Sequence, residues 1–340
     1  MIKYIHPIDP AAAQGLVAEV YAQINRDFGR IVEPFRLHSP LPKLLAGSWI
    51  ACRETELVGA VPRTVKEVVA AAVSMLNQCS FCADAHTIML NSTGDRPIAD
   101  AIGKAHYEKI PDPAIKAIAE WALATLSPGC RILSSPPFSQ REAPEIIGTA
   151  VFYHYINRVA TIFLGDTPLP SSRPWLKDPL KRVAGLMFRR SVRRLKTPGE
   201  SLDLLPPADL PEYLKWMEIN PTVAGGFARF VGAIQDIEEI ALSYEARKHV
   251  FRIIDRWTGE AANTRNWIED EIGQLDEAQE SAIRLSLLAA LSPNQIDGED
   301  VLNFRKYFPG DTGLLGTIAW ASFTAAMKIC KWIQFPSPAP

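Results

Sequence analysis

Between residues 67 and 86 stand Glu67, Cys79, Cys82 and His86, in "EVVAAAVSMLNQCSFCADAHTIML" (67–90). Two thiols at i and i+3 across a first helical turn can close a disulfide, the spacing used by thioredoxin-type sites. Asn77-Gln78 is a plausible break in the apolar run, which sets Cys79 near the start of a new helix. A helix N-terminus lowers a thiol pKa through its unpaired N–H groups and dipole. Positions 79, 82 and 86 then share one face. His86 could accept the Cys82 proton directly or through one water, and Glu67, folding back from the preceding helix, could orient the imidazole. The spacing predicts a Cys82 that is substantially thiolate at neutral pH.

Other readings compete on the same residues. Thr64 and Glu67 fit a capping box, in which Glu67 reaches back to a backbone N–H. Cys79, Cys82 and His86 could be core residues. Two thiols, an imidazole and a carboxylate also offer four zinc ligands. Zinc is weakened because all four lie in one short segment and no second Cys/His pair is present.

Helical periodicity runs nearly everywhere and period-2 alternation is almost absent. Helices are predicted over 11–27, 41–52, 65–77, 82–91, 97–108, 113–126, 144–164, 209–217, 222–237, 244–258, 263–273, 276–291, 298–306 and 313–333, with prolines between them. The fold is read as all-α. "AIAEWALATLSPG" (117–129) matches "AIRLSLLAALSPN" (282–294), and "HSPLPKLLAGSW" (38–49) matches "INPTVAGGFARF" (219–230). These offsets suggest two tandem repeats, the second degenerate. The second half has no CxxC; the longer offset sets Lys248, Glu260, Asn263 and Trp267 opposite Glu67, Cys79, Cys82 and His86. The expected division is 1–165, a basic Pro-rich linker at 166–205, and 206–340. Within the linker, Arg182, Arg189, Arg190, Arg193, Arg194 and Lys196 share an amphipathic pattern with Val183, Leu186, Met187 and Val192. It reads as a helix packed by its apolar side, with its arginines in water or on acidic neighbours; a membrane-surface or polyanion-binding helix is the alternative.

A net charge of −2 over 340 residues gives the whole molecule no pull toward nucleic acid. The N-terminus lacks the pattern of a signal peptide, and no uncharged apolar stretch reaches membrane-spanning length, so a cytoplasmic protein without a membrane partner is expected. Five cysteines, Cys52, Cys79, Cys82, Cys130 and Cys330, do not make a secreted disulfide framework.

The spacing E-x11-C-x2-C-x3-H, filled by Glu67, Cys79, Cys82 and His86, resembles the alkylhydroperoxidase AhpD-like group of the carboxymuconolactone decarboxylase superfamily. "HSPLPKLLAGSW" upstream and "YHYINRVATIFLG" (153–165) downstream are similar too. The resemblance covers most of 15–165, and 205–335 only as a degenerate copy. It implies a dithiol peroxidase without metal or organic cofactor. Cys82 would be peroxidatic, Cys79 resolving, and Glu67 with His86 the proton relay. A hydroperoxide would be the substrate and a lipoyl or thioredoxin-like dithiol the reductant. The alkylhydroperoxidase has a further His between its cysteines, where this chain has Phe81. A non-redox acid–base enzyme of the decarboxylase type and a non-catalytic scaffold are the alternatives. The resemblance also favours a homo-oligomer, a trimer first. Its closing helices, apolar on more than one face, are expected to need a second chain, and Trp267 or Trp320 to narrow access to Cys82 at the junction of the halves.

Overall fold

The computed structural model describes residues 2–171, 173–260, 265–272, 275–333 and 335. Among them there is no strand, and the protein is all-α. Prolines open the helices Pro42–Cys52, Pro113–Leu123, Pro174–Arg193 and Pro221–Gln235, where a missing N–H costs nothing. The helices Arg63–Leu76, Ser80–Thr93, Ala143–Phe163, Tyr244–Arg256, Glu277–Leu291 and Asp311–Ile333 fall within a few residues of expectation. Two stretches differ. Residues 209–217 give instead a 3-10 helix, Glu212–Ile219, and the 97–108 pattern stops at Gly103. Asn263, and the ends of the predicted 263–273 helix, lie outside the described residues.

One hydrophobic cluster runs from Ile5 to Ile333 through both halves. Pro42–Cys52 crosses Pro221–Gln235, and Ala143–Phe163 lies along Asp311–Ile333. Gly47 permits the first crossing, since a Cβ there would stand 2.9 Å from the Ala233 Cβ and 3.2 Å from the Phe230 Cα. Both contacts join a helix of residues 1–165 to a helix of residues 206–340.

Ala143–Phe163 is buried along its whole length except at Thr161. Asp311–Ile333 leaves only its ends and a polar edge at Thr324 and Lys328 less covered. This chain's own helices therefore cover the faces that were expected to need a second chain. Asp311–Ile333, charged residues included, is long and apolar enough to cross a bilayer, but 83% of its most apolar window is buried inside the protein, as in a core helix.

The basic segment is a helix of 20 residues, Pro174–Arg193, hereafter the linker helix. It lies on Ser80–Thr93, the cysteine helix. Gly185 allows this approach: a Cβ there would meet the Asn91 Cβ at 2.8 Å. Lys181 and Lys177 hold Asp84 at 2.7 and 3.1 Å, and Arg182 reaches Asp100 at 3.4 Å.

Candidate active site

The helix carrying Glu67, Arg63–Leu76, is amphipathic and starts after Pro62 without a side-chain cap. The capping box does not form. Thr64 Oγ1 donates instead to Asp95 Oδ2 at 2.6 Å, and Glu67 stands a turn inside the helix, beyond reach of its first N–H groups. The helix ends at Leu76, and Gln78 takes a left-handed φ of 56° that reverses the chain. Cys79 is then the N-cap of the cysteine helix, where its Sγ accepts the Cys82 N–H at 3.4 Å. The break at Asn77-Gln78 thus does what its residue types suggest, and it turns His86 back toward Glu67.

Glu67 Oε2 lies 2.7 Å from His86 Nδ1. Arg63 Nε donates to Glu67 Oε1 at 2.7 Å, and Arg63 Nη2 to Glu56 Oε1 at 3.0 Å. The Tyr153 hydroxyl donates to Glu56 Oε2 at 2.6 Å, and the Cys52 thiol to the same oxygen at 3.3 Å. The Tyr153 ring meets the His86 ring edge-on, centroids 4.5 Å apart. Cys82, His86, Cys52, Glu56, Arg63 and Tyr153 all line a cavity of about 420 Å³; Cys79 does not. Phe81, at the place of the further His, is also in its wall.

The wall comes from the first half, the Pro168–Pro170 segment and the linker helix, not from the second half. Trp320 lines a separate cavity of about 250 Å³, and Trp267 packs on the main core. The expectation that either narrows access to Cys82 is therefore corrected: the apolar side of the linker helix covers the site. The zinc reading also fits poorly. Among the described residues, the cluster that converges within 4.8 Å is Glu56, Glu67 and His86, without a thiol, and the Arg63 guanidinium already bonds both carboxylates.

Residues 44–101, which contain Glu67, Cys79, Cys82 and His86, match the carboxymuconolactone decarboxylase family. The chain is 37% identical over 333 residues to an alkyl hydroperoxide reductase of Mycobacterium tuberculosis, an alignment covering 98% of this chain and 95% of that protein. The chain belongs to the carboxymuconolactone decarboxylase family.

In this family member the charges are sorted by their neighbours. Burial opposes ionisation of Glu67, but Arg63 and His86 outweigh it and bring its pKa down to about 2. Burial raises Glu56; Arg63 opposes this, while the Glu67 charge adds to it. Two adjacent carboxyls are thus pushed apart, Glu67 down and Glu56 up. Burial disfavours a charged His86, yet the Glu67 charge and hydrogen bond win and raise it above the ordinary histidine value.

The thiols differ from expectation. Burial disfavours a Cys79 thiolate, but hydrogen bonds from the Cys82 thiol and N–H, with His86 nearby, hold Cys79 below the ordinary thiol range. Burial, and then Cys79 itself, push Cys82 well above it. The helix N-terminus favours the residue at the cap, and Cys82 is one turn inside. Of the pair, Cys79 is thus the thiol that ionises more readily and Cys82 the one that keeps its proton longer.

Sequence reasoning missed Cys52, Glu56, Arg63 and Tyr153. Arg53, Glu54, Thr55 and Glu56 are all buried on a π-helical turn, Arg53–Leu57, that continues the wholly buried Leu44–Cys52. Arg53 there bonds Asp27 at 2.7 Å and Glu200 at 2.8 Å. The available signal was "CRETEL" (52–57), a charged run joined to an apolar helix with no turn residue between. Of the five cysteines Cys130 alone is exposed.

Proposed function

We propose that the protein is a dithiol peroxidase that reduces organic hydroperoxides, with Cys82 peroxidatic, Cys79 resolving, and His86 and Glu67 as the proton relay. The observation that carries this is the cavity shared by Cys82 and His86, with Glu67 bonded behind the imidazole at 2.7 Å. The name of the mycobacterial relative supports the same class of activity.

A hydroperoxide in the cavity meets Cys82 first. The Cys82 proton passes to the Cys79 thiolate that already shares it. The Cys82 sulfur attacks the terminal peroxide oxygen; the S–O bond forms, the O–O bond breaks, and the leaving alkoxide takes a proton from the His86 imidazolium. An alcohol departs and Cys82 is a sulfenic acid. Cys79 then attacks the Cys82 sulfur, its proton goes to the departing hydroxide, and a disulfide and water result. Glu67 keeps His86 charged before the first step, so His86 serves as general acid rather than as the base that spacing alone suggests. Return to the dithiol takes two electrons and two protons from an external dithiol reductant.

The divided carboxyl pair favours a second reading, acid–base chemistry by His86, Glu67 and Glu56 without the thiols. Steady-state turnover of tert-butyl hydroperoxide by Cys79→Ser and Cys82→Ser separates the two. The peroxidase reading expects both variants to lose turnover, with Cys79→Ser retaining one stoichiometric reaction at Cys82. Turnover retained by Cys82→Ser would sink it.

A further inference from the structure

The cavity is far larger than the oxidising group that the dithiol would need to meet. Its volume of about 420 Å³ compares with roughly 30 Å³ for a water molecule. It lies in the range of pockets for organic ligands, about 300–1,000 Å³. Phe28, Phe35, Ile88, Met89, Leu180 and Phe188 make its walls apolar away from the Cys82–His86 end. Two wall residues on the linker helix, Val183 and Met187, are also 59% and 77% exposed. The cavity therefore reaches solvent along that edge of the linker helix.

The same edge is cationic. Arg190 stands three residues after Met187 and seven after Val183, on their face, and Arg194 follows just past the helix end. Lys177, Lys181 and Arg182, nearer the helix start, are bound to Asp84 and Asp100. By contrast, among the described residues no carboxylate lies within ion-pair distance of Arg189, Arg190, Arg193 or Arg194; Arg193 donates to the Thr93 carbonyl at 3.1 Å. These four arginines and Leu186 frame an open groove. Arg30, in the cavity wall, is 4.0 Å from Glu33 and so partly offset. That groove shares no lining residue with the cavity, and of its arginines Arg190 and Arg194 are the two at helical spacing from the cavity residues Val183 and Met187. Guanidinium matches carboxylate and phosphate oxygens in a planar fork.

We propose that the cavity takes a single-chain anionic amphiphile, its apolar chain along the walls and its acid group on Arg190 and Arg194 at the mouth. On the peroxidase reading, the substrate is such a molecule carrying the hydroperoxide on its chain. An acid group held at the mouth fixes how deep the chain enters, and so which carbon stands beside Cys82. The arginines act on binding and not on the O–O bond.

Isothermal titration of the full chain with monomeric decanoate and 1-decanol tests the site without relying on turnover. Decanoate should bind about tenfold more tightly than decanol. Arg190→Glu/Arg194→Glu should erase that difference and leave decanol affinity unchanged. The same variant should raise the KM for a fatty-acid hydroperoxide about tenfold. Equal affinities for decanoate and decanol, or decanoate binding untouched by charge reversal, would overturn the proposal. So would binding to anionic phospholipid vesicles with none to monomeric decanoate. Failure of the peroxidase reading has a different signature: decanoate binds as described, but no hydroperoxide is consumed.

Discussion

At the scale of residues, the site works by unequal sharing of protons between like groups. Glu67 and Glu56 differ because His86 hydrogen-bonds Glu67 at 2.7 Å and stands 3.9 Å from Glu56. Cys79 and Cys82 differ because one caps a helix and the other donates to it. Iodoacetamide labelling against pH, with Cys82→Ser reporting Cys79 and Cys79→Ser reporting Cys82, should find Cys79 below the free-thiol value of about 8.5 and Cys82 above it. The reverse order would return the thiolate to Cys82. His86→Ala should lower peroxide consumption on the order of 10²-fold, and the wild-type rate should fall as pH rises through the elevated His86 value. Glu67 also carries a stability signature. Its folded pKa is depressed, so its contribution is present above about 4.5 and lost as pH falls toward 2. His86 is raised, so its contribution is full below about 6.5 and lost as pH rises through its folded value. Glu67→Gln leaves Arg63 and His86 facing a neutral amide. Urea unfolding should show a loss of about 3–5 kcal/mol near pH 5.5 that shrinks toward pH 2 and toward alkaline pH. A loss independent of pH would assign Glu67 a packing role alone.

At the scale of elements, the cysteine helix owes its aim to the reversal at Gln78 and its cover to the linker helix. Gly185→Leu should drive the linker helix away from Asn91, lower the melting temperature and open the cavity. We expect destabilisation of about 1–3 kcal/mol by denaturant titration, with tert-butyl hydroperoxide still consumed. Unchanged stability would mean the two helices do not press on each other there. The elements differ in how far sequence exposed them. Arg63–Leu76 and Ser80–Thr93 were legible because apolar period, proline and the Asn77-Gln78 break agree. Glu67 and His86 were legible as partners because helical spacing aims them. Arg53–Leu57 was not: a π-helical turn has no periodic signature in five residues, and buried charges look like surface ones until their counter-charges are known. The linker helix was legible as amphipathic, but its target was not, because the partners of Gly185, Lys181 and Arg182 lie about 80 to 100 residues away in sequence, outside any local pattern.

At the scale of the whole molecule, the two halves share a core, and the Cys79–Cys82 pair lies on the first of them. We propose that the halves are two copies, since the helices that cross between them hold matching places in sequence. A chain ending at residue 205 would expose Ala143–Phe163 where Asp311–Ile333 now covers it. It should be insoluble or unfolded by circular dichroism and gel filtration; a folded, active fragment would show that the second half is dispensable to the first. The account's central claim is that the chain reduces a peroxide by closing Cys79 on Cys82. Intact mass of the full-length protein, before and after one equivalent of tert-butyl hydroperoxide, tests it most directly. The account predicts loss of two hydrogens, one equivalent of alcohol, a bridge mapping to Cys79 and Cys82, and Cys52, Cys130 and Cys330 still reduced. An unchanged mass, or a dominant bridge through Cys52, would contradict it.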